Sequence, residues 1–254
     1  MGWQPGVINQ SAVMVTLWPD ACISAKDKAE QKHICMFVQL RLYIPLSKTL
    51  FHVLKMMDFK AQYHLEDHIV ILRPLQADDV ENLLRYSENE PELRKYSLIG
   101  ANGRENLLKY IQTTLSARTE EKEYPFIVFD KRTNTYAGST RFYDIQPKNE
   151  TLQLGFTWYG KAFQGTGLNK HCKYLLLQFA FETLNYKRVE FRAHAENERS
   201  INAMKSIGCT VEGILRSNAV DLNGNRRSSI VLSILQEEWF QAVKSNLGNK
   251  LITK

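Results

Sequence analysis

Apolar and polar positions fall into two regimes along the chain. From His68 onward they keep the periods of regular elements, and upstream of about residue 57 they do not. "HIVILRPL" reads as a strand closed by Pro74. "QADDVENLLRYSEN" follows, with acids in its first turn and Val80, Leu83 and Leu84 at helical spacing. "RENLLKYIQTTLSAR" predicts a second amphipathic helix. "YPFIVFD" and "TYAGSTRFYDI" predict two strands joined by the polar turn "KRTN", and "TLQLGFTWY" predicts a third. A helix over Lys170–Leu184 comes next, with Cys172, Leu176, Phe179 and Ala180 on one face. The alternating strand "RVEFRAHA" follows it. Asn197 suits the N-cap of a short helix that carries Ile201, Met204 and Ile207 on one side and stops at Gly208. Asn223-Gly224 then predicts a tight hairpin between two strand-like runs, and a terminal helix follows Trp239. The expected class is α/β of the α+β type, a mixed and mostly antiparallel sheet with helices inserted between strands.

Residues 1–56 sustain neither period, and four of the six methionines fall there (Met1, Met14, Met36, Met56) with Met57 beside them. They are expected to form a disordered or loosely docked extension, lying upstream of the natural start; a small helical appendage is the alternative. One domain is expected over 57–240, with a C-terminal tail over 241–254.

Charge alters the picture less than the net +6 suggests. Residues 1–57 carry six basic and three acidic side chains, leaving 27 and 24 on more than three times the length. The main domain is therefore nearly balanced, which disfavours a nucleic-acid partner. Cys22, Cys35, Cys172 and Cys209 have no C-x-x-C spacing, so neither a disulfide framework nor a zinc site is expected, and a reducing cytoplasm is. His64 and His68 lack a third ligand, and no metal is expected. No apolar run reaches the roughly 18 residues of a membrane span, and the first 20 residues do not resemble a signal peptide.

The candidate chemistry starts at "QGTGLN", Gln164 to Asn169, where two glycines precede a helix. Unpaired amides and a partial positive charge at a helix start suit a phosphate, and glycine lets it reach the backbone. A plain turn explains the same letters. The P-loop and dinucleotide fingerprints are both absent.

Taken with "LRPL…D" (Leu72–Leu75, Asp78), "AFETLNYKRVEFRA", "NERSINAMKSIG" and "EGILR", the loop resembles the GNAT superfamily of acyl-CoA-dependent N-acyltransferases. The likeness spans about residues 67–238 and is strongest to the ribosomal-protein-alanine N-acetyltransferase branch. Gln164 and Gly167 match the family's Gln/Arg-x-x-Gly-x-Gly/Ala pattern, whereas Asn169 departs from it. The resemblance implies a central sheet splayed in its middle with helices on both faces, and acetyl-CoA as co-substrate. The pantetheine arm would lie along Phe156, Thr157, Trp158 and Tyr159. The diphosphate would sit on the amides of Gln164, Gly165, Thr166, Gly167, Leu168 and Asn169, and Asn197 would face the arm. Ser200 is implied as the general acid, or else is a serine that satisfies the helix start. The family's carboxylate before the last hairpin turn is replaced by Ala219, leaving Glu150 and His194, with Glu190 and Tyr143, as base candidates by position. The acceptor is expected to be a primary amine on a small molecule, a peptide or a protein N-terminus, and the protein a monomer or homodimer. Ala219 keeps open a non-catalytic acyl-CoA-binding module as the alternative.

Overall fold

The structure, a computed structural model, describes residues 57–252. The extension expected over 1–56 lies outside them. Eight strands form one sheet in the order β1-β2-β3-β4-β5-β6-β8-β7. They are β1 (Leu65–Glu66), β2 (Val70–Pro74), β3 (Tyr124–Asp130), β4 (Thr135–Gln146), β5 (Thr151–Tyr159), β6 (Arg188–His194), β7 (Thr210–Val220) and β8 (Arg226–Leu235). Every pairing is antiparallel except β5 with β6. The helices are α1 (Asp79–Asn89), α2 (Arg104–Thr119), α3 (Leu168–Gln178), α4 (Glu198–Ser206), α5 (Gln236–Glu238) and α6 (Lys244–Ile252).

Strand alternation puts helices on both faces. Neighbouring residues of β4 show it: Thr140 meets Lys173 of α3, while Arg141 meets Thr114 of α2. The core fills the space on each side, with Leu72, Phe126 and Phe142 among its fully buried members. Along the outer strand β7, Val211, Ile214, Leu215 and Val220 remain exposed.

Three local outcomes differ from the sequence pattern. The helix expected from Lys170 starts at Leu168, because Gly167 adopts φ +88° and turns the chain into it. It then loosens into a wider turn over Phe179–Thr183, matched by another over Trp239–Val243. The two wide turns pack together, with the rings of Phe181 and Trp239 5.8 Å apart and Trp239 Nε1 donating to Glu182 at 2.8 Å. The hairpin at Asn223-Gly224 is not a two-residue turn. Gly224 N–H reaches the Asp221 carbonyl, Asp221 and Asn225 close the loop, and Gly224 alone takes positive φ, +85°. Asp221 Oδ1 accepts from the backbone N–H groups of Asn223 and Asn225 and so selects the longer loop.

Beyond residue 240 the chain is helical through Ile252, with Val243 and Leu247 buried. Gly208 ends α4 at φ +100°, and a Cβ there would stand 2.9 Å from Val243 Cγ1. Gly208→Ala is therefore expected to cost about 2 kcal/mol or more, from left-handed strain plus overpacking. Urea unfolding measures it, and a loss below about 0.5 kcal/mol would contradict this account of the contact.

Candidate active site

The parallel pair β5 and β6 is joined for only three residues: Thr151 faces Arg188, Leu152 faces Val189 and Gln153 faces Glu190. Beyond them each strand stays paired on its far side, β5 with β4 to Tyr159 and β6 with β8 to His194. Two backed strand edges thus diverge, leaving unpaired backbone groups that a chain-like ligand can satisfy. Pairing with β6 stops at Gln153, and a little further on β5 gains one residue. Ser139 pairs with Trp158 and Arg141 with Gly155, so Phe156 and Thr157 share the single partner position Thr140. Phe156 sits at φ +48°, a strained value for an aromatic residue, and the bulge re-aims the strand there.

The loop from β5 to α3 lies at the open end. Its backbone N–H groups at Gly165, Thr166, Gly167 and Asn169 have no partner among the described residues, whereas Gln164 N–H is committed to the Lys161 carbonyl at 3.1 Å. Leu168 N–H has only a long contact, 3.4 Å, to Thr166 Oγ1. A Cβ added at Gly165 or Gly167 would meet nothing within 4 Å, so the space before these amides is open. Arg132, ion-paired with Asp130 at 2.6 Å, reaches over from the β3–β4 turn and donates to the Thr166 carbonyl at 3.2 Å. The loop presents a row of open backbone donors, the chemistry that suits a phosphate.

Gln164 departs from its expected part. Its amide group braces the site: Nε2 donates to the Tyr159 carbonyl at 2.9 Å, and Oε1 accepts from Arg199 of α4. Asn169 is drawn aside in the same way, its Oδ1 accepting from Tyr159 Oη at 3.3 Å. The side chain that breaks the small-residue pattern is thereby turned toward a buried tyrosine.

Asn197 caps α4, with Oδ1 accepting from Ser200 N–H at 3.2 Å. The Ser200 hydroxyl makes no hydrogen bond to the described residues, although its backbone is satisfied. His194 ends β6 with its ring 5.1 Å from that of Tyr96, and its Nδ1 accepts from Glu196 N–H at 3.1 Å. The neutral ring then carries its proton on Nε2 and offers a donor, so the lone pair a base needs is already used. Glu150 precedes β5 at the joined end of the strand pair, where its carbonyl accepts from Lys187 N–H at 2.7 Å. Glu190 is held between Arg188 and Arg192 at 3.1 and 2.7 Å. Burial holds the Tyr143 phenol well above its ordinary range. The structure thus brings Ser200, Asn197 and the loop to one end of the split and leaves Glu150 at the other.

Lys173 escaped the sequence reading. It is 4% exposed on α3, below the split, with Nζ 2.7 Å from Thr157 Oγ1 and 5.9 Å from the ring centroid of Phe191 on β6. One ammonium thus touches both diverging strands. Burial pushes it down to about 8. The available signal was a lysine beside Cys172 on the apolar side of the helix; Arg132 in a polar turn gave none.

The chain is similar in sequence and fold to known proteins. A family model for the GNAT acetyltransferase domain matches residues 70–210. The Bacillus subtilis (strain 168) protein named "Probable N-acetyltransferase YjcK" is 29% identical over 180 residues, covering 68% of this chain and 98% of its own length. A GCN5-related N-acetyltransferase from Brucella melitensis superimposes with a TM-score of 0.71 at 24% identity, over 77% of this chain and 88% of that one. A ribosomal-protein-S5-alanine acetyltransferase from Vibrio fischeri shares the fold at a TM-score of 0.58 and 16% identity, over 70% of this chain and 98% of that one. No helix among the described residues is long and apolar enough to cross a membrane.

The buried lysine makes stability depend on pH in a defined direction. The unfolded chain binds this proton up to about 10.5 and the folded chain only up to about 8, so between those values the unfolded state holds more protons and stability rises with pH. Relative to Lys173→Met, the wild type is expected to gain about 3 kcal/mol across that window. Parallel unfolding free energies for the two proteins from pH 8 to 10.5 would refute the assignment.

Proposed function

Because the chain belongs to the GNAT acetyltransferase family and is an N-acetyltransferase, we propose that it transfers an acetyl group from acetyl-CoA to a primary amine by direct attack in a ternary complex. The acceptor is a small amine, a peptide or a protein N-terminus. The observation that carries this reading is a set of unpaired amides, Gly165, Thr166, Gly167 and Asn169, at the mouth of two diverging strand edges. When bound, acetyl-CoA supplies the thioester that makes the acetyl carbon electrophilic.

The residues divide the remaining work. The loop amides and Arg132 hold a diphosphate, while the free edges of β5 and β6 accept an amide-bearing arm as an added strand would be accepted. Phe156 to Tyr159 line that edge, with Thr157 anchored below by Lys173 and the Trp158 ring turned to the opposite face. A β5 backbone N–H polarises the carbonyl under attack. Ser200 donates a hydrogen bond to the departing sulfur, since nothing else among the described residues engages its hydroxyl. An amine titrates near ~10.4 in water and must be neutral to react. The buried cation Lys173 disfavours a second cation nearby, which favours the neutral form. With the His194 lone pair occupied, the proton leaves through water at the open end.

Gly167→Ala adds a methyl group to open space in front of the amides and also strains the left-handed φ of +88° there. It is expected to raise the Kd for CoA roughly tenfold or more, leaving that for pantetheine, which lacks the diphosphate, unchanged. Calorimetry with both ligands measures this, and equal weakening of both would remove the diphosphate from the loop. Ser200→Ala is expected to lower kcat roughly 10- to 100-fold at unchanged CoA affinity. An amine panel with acetyl-CoA, read as released thiol, tests the activity itself; CoA binding with no amine turned over would instead favour the binding-module alternative.

A further inference from the structure

On the face of the sheet opposite Lys173 lies a cluster of cations with too few anions. Arg94, from the short helical turn Pro91–Arg94 between α1 and α2, is 8% exposed, and its guanidinium carbon lies 4.4 Å from the Trp158 ring centroid and 4.9 Å from that of Tyr110. Arg141 is 3% exposed, 3.6 Å from the Phe156 ring centroid and 5.6 Å from the same Tyr110 ring. Among the described residues one carboxylate reaches the cluster, Glu123, whose Oε2 is 2.9 Å from Arg141 Nη1; that nitrogen also donates to Thr114 Oγ1 at 2.7 Å. That contact is an ion pair without an aligned hydrogen bond, because the oxygen lies off the N–H directions. Arg94 has no carboxylate at ion-pair distance among the described residues; burial is the main influence on its guanidinium and lowers its pKa, with the Tyr110 phenol offsetting part of that cost.

The donors here outnumber the acceptors. Arg141 Nε and Trp158 Nε1 are both buried with no hydrogen-bond partner, and Trp158 is 7% exposed. Unpaired buried donors cost free energy, and a buried guanidinium without a carboxylate costs more. A carboxylate satisfies such a set, because its two oxygens accept from planar guanidinium forks. A polyamine or lysine side chain would add charge of the same sign. The cluster also has a fixed place: its cations cover the rings of Phe156 and Trp158, flanking Thr157 on the strand assigned to the acyl donor.

We propose that Arg94, Arg141 and Trp158 Nε1 form a subsite for a carboxylate carried next to the reacting centre, on the acceptor amine or on the acyl chain. The placement rests on the acyltransferase reading above. An acceptor source makes the substrate an amino acid or a short acidic peptide; an acyl source makes it a dicarboxylic acyl thioester.

The test offers L-amino acids and their carboxamides, with acetyl-CoA or succinyl-CoA, to wild type, Arg94→Gln and Arg94→Lys. Released thiol is followed, and melting midpoints are recorded with each compound and with malonate. The expected result is a kcat/KM preference for acids over amides of roughly 10- to 100-fold. It is lost in Arg94→Gln and partly restored in Arg94→Lys, while CoA affinity stays constant. Carboxylates raise the melting midpoint of wild type and not of Arg94→Gln. A preference for succinyl- over acetyl-CoA that depends on Arg94 supports the site with the acyl chain as source. The ligand-free midpoint of Arg94→Gln equals or exceeds that of wild type, since an unanswered buried charge is removed. Equal use of acids and amides, with no midpoint shift from any carboxylate, overturns the proposal, as does a fall in the ligand-free midpoint with acid preference intact. Failure of wild type to bind CoA overturns the acyltransferase reading instead, and the carboxylate-dependent midpoint then judges the arginine cluster separately.

Discussion

The parting of β5 from β6 after three residue pairs is the constraint on which the site depends. A continuous parallel ladder would satisfy both strands and leave nothing for a ligand. Two features oppose it. The extra residue at Phe156–Thr157 twists β5 away, and the Lys173 ammonium occupies the space below, bound to Thr157 and resting against Phe191. Both are costly in isolation, one as backbone strain and the other as a desolvated charge. Such costs persist only where surrounding structure holds them, and here the backing strands β4 and β8 do so.

Polarity is distributed unequally between the two faces of the split. Below it, one lysine is answered by two threonine hydroxyls, Thr140 and Thr157. Above it, two arginines share the Tyr110 ring, and only Arg141 has a carboxylate partner. Both sets favour electron-rich groups entering from either side, consistent with chemistry in which charge develops on oxygen and sulfur. The loop at the mouth adds backbone donors to the same pattern.

Much of the fold was legible because local signals agreed with their surroundings. Period-2 and period-3.6 runs located the elements, and Asn197 and Gly208 marked the ends of α4 as the structure has them. The site was legible only where backbone chemistry makes it. Glycines at 165 and 167 announce open amides, whatever the distant contacts. Side-chain roles were harder, since they depend on partners remote in sequence. Gln164 is claimed by Arg199, His194 by Tyr96, and Lys173 by a strand sixteen residues earlier. Asn223-Gly224 misled for a related reason: Asp221, two residues before it, supplied acceptors that lengthened the turn.

The Gln164 strut has an evolutionary corollary. It gives a hydrogen to Tyr159 O and takes one from Arg199, a double duty that a carboxamide performs and a guanidinium cannot. Homologues bearing arginine at this position cannot accept, so residue 199 in them should switch to an acid or a neutral acceptor. Covariation of these two sites, thirty-five positions apart, is the trace that the brace would leave across an alignment.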